Sequence, residues 1–401
     1  MQKQGDLVIE RPEGLYCPPG DFWIDPWRPV HRAVITHAHA DHASRGHGHY
    51  LASARAEGVL RTRLGQGISL QPLQWGEAVE HRGVRVSLHP AGHVLGSAQV
   101  RLEHAGRVWV ASGDYWTTAR PDEKNATCDA FEPVACDCFI TESTFGLPIY
   151  RWRPQQEIFD DMNAWWRANA EAGRASLLMG YSFGKAQRIL AGVDASIGPI
   201  VVHGAVEPLN RAYRAEGVAI PPTLLMKELE DKTILRSALV VAPPSVQGSG
   251  WTRRLGDYGA AFASGWMQLR GARRRRGVER GFVLSDHADW PGLQRAIAAT
   301  GAERVIVTHG YEAVMVRWLQ QQGLDAGSFR TRYGDDDDAP AGDAAAEAAD
   351  AGTEPDPEAA TDPAPHPGPG LEPQPDADSD PPPHAAAQAD ADAPPPADPR
   401  R

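Results

Sequence analysis

Cysteine is scarce in this chain of 401 residues. The four cysteines are Cys17, Cys128, Cys136 and Cys138. They lack the C-x2-C spacing of a structural zinc site and are too few for a disulfide framework, so we predict reduced thiols. The chain also has no run of 18 apolar residues and no N-terminal charged-plus-apolar signal. These absences argue against a membrane partner, and we expect a soluble, cytoplasmic protein.

Large aliphatic side chains are almost missing from the C-terminal segment 335–401, where Leu371 is the only one. This segment is rich in proline, alanine and aspartate, and it carries 18 acidic and 2 basic residues. Residues 1–334 carry 38 basic and 34 acidic residues, a net charge of +4, whereas the whole chain has −12. We predict that residues 335–401 form a disordered tail because they have almost no apolar surface to bury.

Four side chains with metal-binding chemistry crowd into the stretch THAHADHASRG, from Thr36 to Gly46. His37 and His39 are two positions apart, so in an extended segment they would point the same way and could share one ion. Asp41 and His42 follow where small alanines allow the backbone to turn, so they could reach a second ion nearby. The preceding run RAVIT has the β-branched, apolar character of a buried strand that would deliver this turn.

Apolar runs elsewhere each end in, or lead to, a residue with metal-binding or acid–base chemistry. These residues are Asp25, His93, Asp114, Glu142, His287 and His309. Helical patterns between the runs, at 155–171, 185–194, 291–300 and 312–321, predict an α/β protein built in layers. Ligand sites of open α/β sheets gather at the carboxyl ends of strands, so we expect the six residues to meet.

The donors are sufficient for two ions. The first set is His37, His39 and His93, the second is Asp41, His42 and His309, and Asp114 is left as a carboxylate bridge. These ligands suit zinc, with manganese or iron left open because affinity order does not decide which metal is loaded. Two ions about 3.5–4 Å apart can activate water and stabilise the attacking and leaving oxygens, so we expect hydrolysis. We expect Asp25 to accept the free N–H of a ligand histidine.

Further motifs resemble those of a known group of enzymes. The blocks are PAGHVLGSA (Pro90 to Ala98), SGDY (Ser112 to Tyr115), TESTFG (Thr141 to Gly146), YSFGKAQRIL (Tyr181 to Leu190), ASGWM (Ala263 to Met267), SDHADW (Ser285 to Trp290) and VTHG (Val307 to Gly310). Together with the histidine turn, they resemble the β-CASP nucleases of the metallo-β-lactamase superfamily over about residues 5–333. Within that family, the chain is similar to the bacterial ligase-associated DNA exonucleases.

The resemblance implies an α/β fold, an αββα metallo-β-lactamase sandwich with an inserted domain. Residues 1–145 and 281–334 would form the catalytic domain, and residues 146–280 would be a β-CASP-like cap. The implied activity is that of a metal-dependent DNA exonuclease with two divalent ions, zinc or manganese. Its substrate would be single-stranded DNA or a tailed duplex. The implied context is DNA repair, with an ATP-dependent DNA ligase and a helicase as partners.

The resemblance also implies the roles of individual residues. Glu142 and His287 match family motifs and would act at the scissile phosphate, supplying a proton to the leaving oxygen. Asp41 and Asp114 would be catalytic as well as metal ligands. Cations of the predicted cap would neutralise the phosphates of a nucleic acid. The candidate cations are Lys185, Arg188, Arg273, Arg274, Arg275 and Arg276.

Three alternatives to a DNA nuclease remain open. An RNA-processing β-CASP nuclease would share all the motifs, and no reader of a 2′-hydroxyl can be identified in the sequence. A small-molecule metallohydrolase, such as a thioesterase or lactonase, would share the histidine turn, but the predicted cap and the arginine run argue against it. A scaffold that binds nucleic acid without catalysis would have lost ligands, whereas every ligand position here is filled.

Overall fold

The structure is a computed structural model that describes residues 5–118 and 125–332. The predicted tail, 335–401, lies outside the described residues. Contacts along the chain group residues 1–353 into one unit and 354–401 into another, so every described residue belongs to the first unit. No helix in the described part of the chain is long and apolar enough to cross a membrane.

The first sheet is built from the first 73 residues. Its strands are β1 (Ile9–Arg11), β2 (Gly14–Cys17), β3 (Phe22–Ile24), β4 (Arg32–Val34), β5 (His49–Ser53) and β6 (Leu70–Leu73). They lie side by side in chain order. The first two pairings are antiparallel, and the pairings from β3 to β6 are parallel. The loop after β4 therefore begins at a carboxyl end of the parallel half.

The second sheet has seven strands. They are β7 (Ala78–His81), β8 (Val84–Pro90), β9 (Ala98–His104), β10 (Arg107–Ala111), β11 (Cys138–Ser143), β18 (Arg304–Gly310) and β19 (Asp325–Ser328). The spatial order is β19-β18-β11-β10-β9-β8-β7. The four strands from β19 to β10 run parallel, so the ends of β10, β11 and β18 meet at one edge.

A third sheet, entirely parallel, has the order β14-β13-β15-β12-β16-β17. Its strands are β12 (Ala175–Met179), β13 (Ile200–Val202), β14 (Leu224–Leu225), β15 (Leu239–Ala242), β16 (Tyr258–Ala263) and β17 (Arg280–Phe282). These strands come from 175–282, a range close to the predicted cap. The division of the chain into a catalytic domain and a cap stays a prediction.

Seven α-helices cover the sheets in the described residues. They are α1 (Glu57–Leu64), α2 (Gln155–Glu171), α3 (Lys185–Gly192), α4 (Glu207–Ala215), α5 (Arg270–Arg276), α6 (Trp290–Thr300) and α7 (Glu312–Gln321). The predicted helices 155–171 and 312–321 have the bounds of α2 and α7. The mixed α/β composition is the one that the sequence predicts.

The first two sheets pack face to face. Successive side chains along a strand point to opposite faces of its sheet, so one set of apolar side chains fills the space between the two sheets. In β10, Trp109 points into the core between the sheets, whereas Val110 points into the core beneath α6 and α7. In β18, Ile306 belongs to the first of these cores, and Val305 and Val307 belong to the second. Helix α1 packs on the outer face of the first sheet. The layers are therefore helix, sheet, sheet and helix.

Candidate metal centre

A tight turn after β4 gathers the histidines of the first sheet. The backbone N–H groups of His42 and Ala43 donate to the carbonyl of His39 at 3.1 and 2.8 Å. The turn brings the His42 ring back over the loop, so that its centroid lies 4.1 Å from that of His37. Ala43 is buried beneath the turn, where a larger side chain would find little room.

The first donor set consists of His37, His39, His93 and Asp114, whose ligand atoms lie within 4.8 Å of one another. His39 Nδ1 is 3.1 Å from His37 Nε2 and 3.0 Å from His93 Nε2. Asp114 Oδ2 is 3.5 Å from His37 Nε2 and 3.8 Å from His93 Nε2. A tetrahedral ion with bonds of about 2.0–2.1 Å separates its ligand atoms by roughly 3.3–3.4 Å, so these distances fit one zinc-like ion.

The second donor set lies beside the same carboxylate. His309 Nε2 lies 2.9 Å from Asp114 Oδ1, and His42 Nε2 lies 3.4 Å from Asp114 Oδ2. Asp41 completes this side, with its Oδ2 at 3.4 Å from His42 Nε2. Asp114 thus groups with His37, His39 and His93 on one side and with His42 and His309 on the other. Asp41 groups with His37 and His42, between the two sets.

In each histidine of the two sets, one ring nitrogen faces the other donors (the inner nitrogen). The second ring nitrogen (the outer nitrogen) faces away from them and contacts a polar group. The outer contacts are His37 Nδ1 with Thr36 Oγ1 (3.0 Å), His39 Nε2 with the Phe183 carbonyl (3.3 Å), His42 Nδ1 with Asp25 (2.7 Å), His93 Nδ1 with the Asp286 carbonyl (2.9 Å) and His309 Nδ1 with Thr308 Oγ1 (3.0 Å). Such contacts fix the orientation of a metal-binding imidazole and leave its other nitrogen directed inward. The five inner nitrogens therefore converge because five outer ones are held.

Burial favours the neutral form of the three histidines in the first donor set. It lowers the pKa of His37 well below its usual value, and the neighbouring His42 lowers it further. Burial also lowers the pKa of His93 and of His39, and the adjacent His287 adds to the effect on His93. A neutral imidazole has the free electron pair that a metal ligand needs, so this set suits a cation.

Carboxylates dominate the electrostatics of the second donor set. Burial opposes protonation of His42, but Asp41 and Asp114 raise its pKa well above the usual value. The partial burial of His309 also opposes its protonation, but Asp114 raises the pKa of His309. Burial disfavours the charged form of Asp114, yet His42 and His309 hold its pKa well below the usual range. The centre therefore keeps an ionised carboxylate in its interior, which fits a bridge between cations.

Glu142 and His287 form a separate pair beside the donors. Glu142 is buried in β11, and its carboxylate accepts the backbone N–H of Tyr115 at 2.8 Å. The other oxygen lies 2.8 Å from His287 Nδ1. Burial alone would lower the pKa of His287, but Glu142 raises it to about 9. The His287 ring packs 4.6 Å from that of His93, so the pair borders the first donor set.

Asp25 lies against the outer side of the histidine turn. It has a left-handed backbone conformation, with φ at 44°, directly after β3. One carboxylate oxygen accepts the backbone N–H of Thr36 at 2.8 Å, and the other lies 2.6 Å from its hydroxyl and 2.7 Å from His42 Nδ1. Asp25 thus holds both the start of the turn and one inward-directed imidazole.

Lys185 and Arg188 are placed differently from the prediction. Both side chains are buried, at 3% and 2% exposure, and so cannot reach a nucleic acid at the surface. Lys185 Nζ lies 2.9 Å from Asp286 Oδ2, and an Arg188 nitrogen lies 3.1 Å from Asp286 Oδ1. The carbonyl of Asp286 lies 2.9 Å from His93 Nδ1 and orients that ring. The two cations therefore hold in place the residue that orients His93. Their role in binding nucleic acid, predicted from sequence, is therefore corrected to a structural one.

The arginine run keeps an exposed position. Arg273, Arg274 and Arg275 are exposed on α5, whereas Arg276 is half-buried, with its guanidinium 4.3 Å from the centre of the Phe262 ring.

All four cysteines are free.

Four supporting residues were missed by the sequence reasoning: Thr36, Phe183, Asp286 and Thr308. The two threonines directly precede ligand histidines, and this repeated Thr-His pair is a signal that could have identified them. The other two act through backbone carbonyls, which carry no signature of residue type. Gly184 follows Phe183 at φ +81°, and a Cβ there would lie 2.4 Å from Val94, so the loop that reaches His39 depends on a glycine.

Comparison with known proteins gives relatives of two kinds. A protein of Opitutus terrae named probable DNA ligase is 33% identical over 316 residues, which are 78% of this chain and 30% of that protein. Cleavage and polyadenylation specificity factor subunit 3 of Dictyostelium discoideum is 32% identical over 88 residues, 22% of this chain and 11% of that protein. Endoribonuclease YSH1 of Yarrowia lipolytica is 27% identical over 125 residues, 31% of this chain and 14% of that protein.

The chain thus spans less than a third of the length of these curated relatives. No family model matches it. A crystal structure of a protein of unknown function from Enterococcus faecalis V583 shares the fold, with a TM-score of 0.50 and 12% identity over 76% of this chain and 80% of that one. The homologues of the chain include β-CASP nucleases of the metallo-β-lactamase superfamily, as the resemblance of its motifs predicted.

Replacing Asp114 by asparagine tests the shared carboxylate. The variant should bind at least one of two ions more than about 100-fold more weakly, because loss of a mere orienting partner already costs about 10–100-fold. Metal titration calorimetry measures this for zinc and manganese. Asp129→Asn, at a half-buried pair with Arg55 outside the donor sets, is the control and should bind like the unaltered protein. Equal binding by the Asp114 variant would refute the shared-ligand assignment.

Asp25→Asn tests the support of the turn. We expect metal affinity to fall by about 10–100-fold, since His42 loses the charged acceptor of its outer nitrogen. Dialysis against a chelator, followed by metal analysis, measures retention. Asp21→Asn, at the pair of Asp21 with Arg82, is the control for loss of a nearby carboxylate. Retention indistinguishable from the control would make Asp25 a residue of the turn alone.

Asp286→Asn tests the brace beneath His93. The variant removes the negative charge that faces two buried cations, and breaking such a buried pair costs about 3–5 kcal/mol in free energy of unfolding. Urea denaturation provides the measurement. Glu279→Gln breaks the pair with Arg174 at the surface and should cost at most about 1 kcal/mol. The assignment fails if both variants unfold at the same urea concentration.

Proposed function

We propose that this homologue of the β-CASP nucleases hydrolyses phosphodiester bonds in a nucleic acid with two divalent ions, zinc or manganese. The observation that carries the proposal is the position of Asp114 between two sets of inward-directed histidines. When bound, two adjacent ions would lower the pKa of water and neutralise charge on the phosphate. The ligands would be His37, His39, Asp41, His42, His93, Asp114 and His309.

The chain's own groups would handle the protons. The Asp41 side chain is 30% exposed, the largest exposed fraction among the carboxylates of the centre, and it is placed to accept the proton that water releases. His287 keeps its Nδ1 on Glu142, so its Nε2 is the nitrogen that would donate a proton to the leaving 3′-oxygen. Glu142 is a positioning residue that favours the protonated imidazole. Such help from a general acid is typically worth about 10²–10⁴-fold in rate.

DNA is the substrate that we propose, with exonucleolytic removal from the 5′ end of single strands or tailed duplexes. The motifs similar to ligase-associated exonucleases support this proposal, and so does the Opitutus homologue named probable DNA ligase. An ATP-dependent ligase and a helicase would act with such an enzyme in repair. The exposed Arg273, Arg274 and Arg275 offer cations for the phosphate backbone.

RNA processing is the second candidate. It is favoured by the relatives named endoribonuclease and cleavage and polyadenylation specificity factor. The metal centre and the proton donor would serve both substrates, because both would act at the phosphodiester that DNA and RNA share. A direct comparison of DNA and RNA cleavage therefore distinguishes the two candidates.

The deciding experiment incubates the purified protein and manganese or zinc with DNA and RNA oligonucleotides labelled at one end or the other. We expect release of short products from a 5′ label on DNA, and no release by Asp114→Asn. Early internal fragments would indicate an endonuclease, and a clear preference for RNA would establish the second candidate. If no oligonucleotide is cut while a thioester or lactone is, the protein is a small-molecule hydrolase and the proposal is wrong.

His287→Ala tests proton donation. Turnover should fall by about 10²–10⁴-fold while both ions remain bound, because the variant removes the donor and leaves the ligands intact. Initial rates and metal analysis of the same preparation provide the two readouts. His89→Ala, which removes a half-buried histidine beside Glu132, is the control. Loss of metal from the His287 variant would instead identify His287 as a ligand.

A further inference from the structure

A groove of about 550 Å³ lies beside the metal centre. We call it the arginine groove. Its lining residues are Glu10, Arg11, Pro12, Trp27, Arg28, Arg330, Thr331 and Arg332. They come from the end of β1, the loop after β3 and the segment after β19. None of the cations predicted from the sequence lines it.

The charge of the groove is strongly unbalanced, with four guanidinium groups and one carboxylate. Glu10 uses a carboxylate oxygen to accept the backbone N–H of Arg330 at 3.0 Å, which ties β1 to the segment after β19. Across residues 5–118 and 125–332, no ion pair is formed by Arg28, Arg330 or Arg332, and all three are exposed. Arg11 lies over the ring of Tyr16 at 5.8 Å. Positive groups gathered this way attract a polyanion.

The arginine groove adjoins a smaller cavity at the metal centre. A smaller cavity of about 60 Å³ is lined by Asp41, His42 and His309 of the second donor set, and it shares Trp27 and Thr331 with the groove. A nucleic-acid strand that lay in the groove would therefore meet the second donor set first.

Both walls of the groove are fastened to that set. Thr331 donates its hydroxyl to the carbonyl of Thr308, the residue before His309, at 3.0 Å. Arg28 follows three residues after Asp25, which holds His42. The indole N–H of Trp27 donates to the carbonyl of Pro12 at 2.9 Å, so this ring is fixed where the two cavities join. An anchored aromatic ring is a surface on which a base can stack.

We propose that the arginine groove binds the phosphodiester backbone of one nucleic-acid strand and leads it to the metal centre from the side of His42 and His309. The inference rests on the proposed function for its substrate class, and it adds the path that the strand takes. Guanidinium groups suit this task because each can donate two parallel hydrogen bonds to a phosphate. The contacts are made to the backbone, so they carry no preference for base sequence.

The test is a triple variant of the full chain, Arg28→Gln, Arg330→Gln and Arg332→Gln, with binding measured separately from cleavage. Fluorescence anisotropy of a labelled single-stranded oligonucleotide in the presence of a chelator gives the dissociation constant at several salt concentrations. Each phosphate contact to a single strand adds about 0.7 to the slope of log affinity against log salt, so three lost contacts should lower it by about 2. At about 0.1 M salt, we expect affinity at least 10-fold weaker.

The control is a second triple variant with the same change of charge, Arg236→Gln, Arg295→Gln and Arg317→Gln, at exposed positions outside the groove. It should bind within about twofold of the unaltered protein. An oligonucleotide with uncharged methylphosphonate linkages should bind equally weakly to all three proteins, which identifies the phosphates as the bound group. An unchanged slope in the groove variant, or equal losses in both triple variants, would overturn the proposal.

The two proposals can fail separately. If the unaltered protein cuts DNA or RNA and the groove variant binds and cuts equally well, the path is wrong and the nuclease stands. If binding depends on the three arginines but no metal supports cleavage, the groove stands and the nuclease is wrong. If the groove variant binds the strand more tightly than the unaltered protein, the three arginines do not hold the strand and the proposal is overturned.

Discussion

The structure depends on the close approach of five histidines, two of them buried and three half-buried, to one carboxylate. Protonated imidazoles at these distances would repel one another, and burial already disfavours their charged forms at His37 and His93. The arrangement is sustained because each outer nitrogen has a fixed partner and because Asp114 supplies a negative charge between the sets. Cations placed among the inner nitrogens would relieve the crowding that remains. The same geometry is therefore both a strain on the fold and a site prepared for metal.

The two stacked sheets explain why the donors can meet. One sheet supplies the turn with His37, His39 and His42, and the other supplies His93, Asp114 and His309 from the ends of its strands. The second sheet also carries Glu142 within β11, so the pair of Glu142 and His287 is held by the same layer as Asp114. The loop after β12 of the third sheet contributes the Phe183 carbonyl, and α3 contributes the buried cations that face Asp286. The centre is thus formed by the first two sheets and supported by the segment that follows β12.

Local patterns predicted the parts that short stretches of sequence determine. Helices α2 and α7 have their predicted bounds because periodicity and polarity change within a few residues of each end. The donor cluster was visible because a histidine turn and strand ends carry residue-type signals. Lys185 and Arg188 were misassigned because a basic side chain looks exposed until a distant carboxylate, here Asp286, is known to face it. The arginine groove was invisible for a similar reason, since its walls lie about 300 residues apart in the chain.

The proposed chemistry requires that two ions share Asp114. Anomalous diffraction at the zinc or manganese edge, from crystals grown with that metal, locates the ions. We expect two peaks about 3.5–4 Å apart, one among His37, His39 and His93 and the other between His42 and His309, with Asp114 within bonding distance of both. A single peak, or a peak between Glu142 and His287, would contradict it.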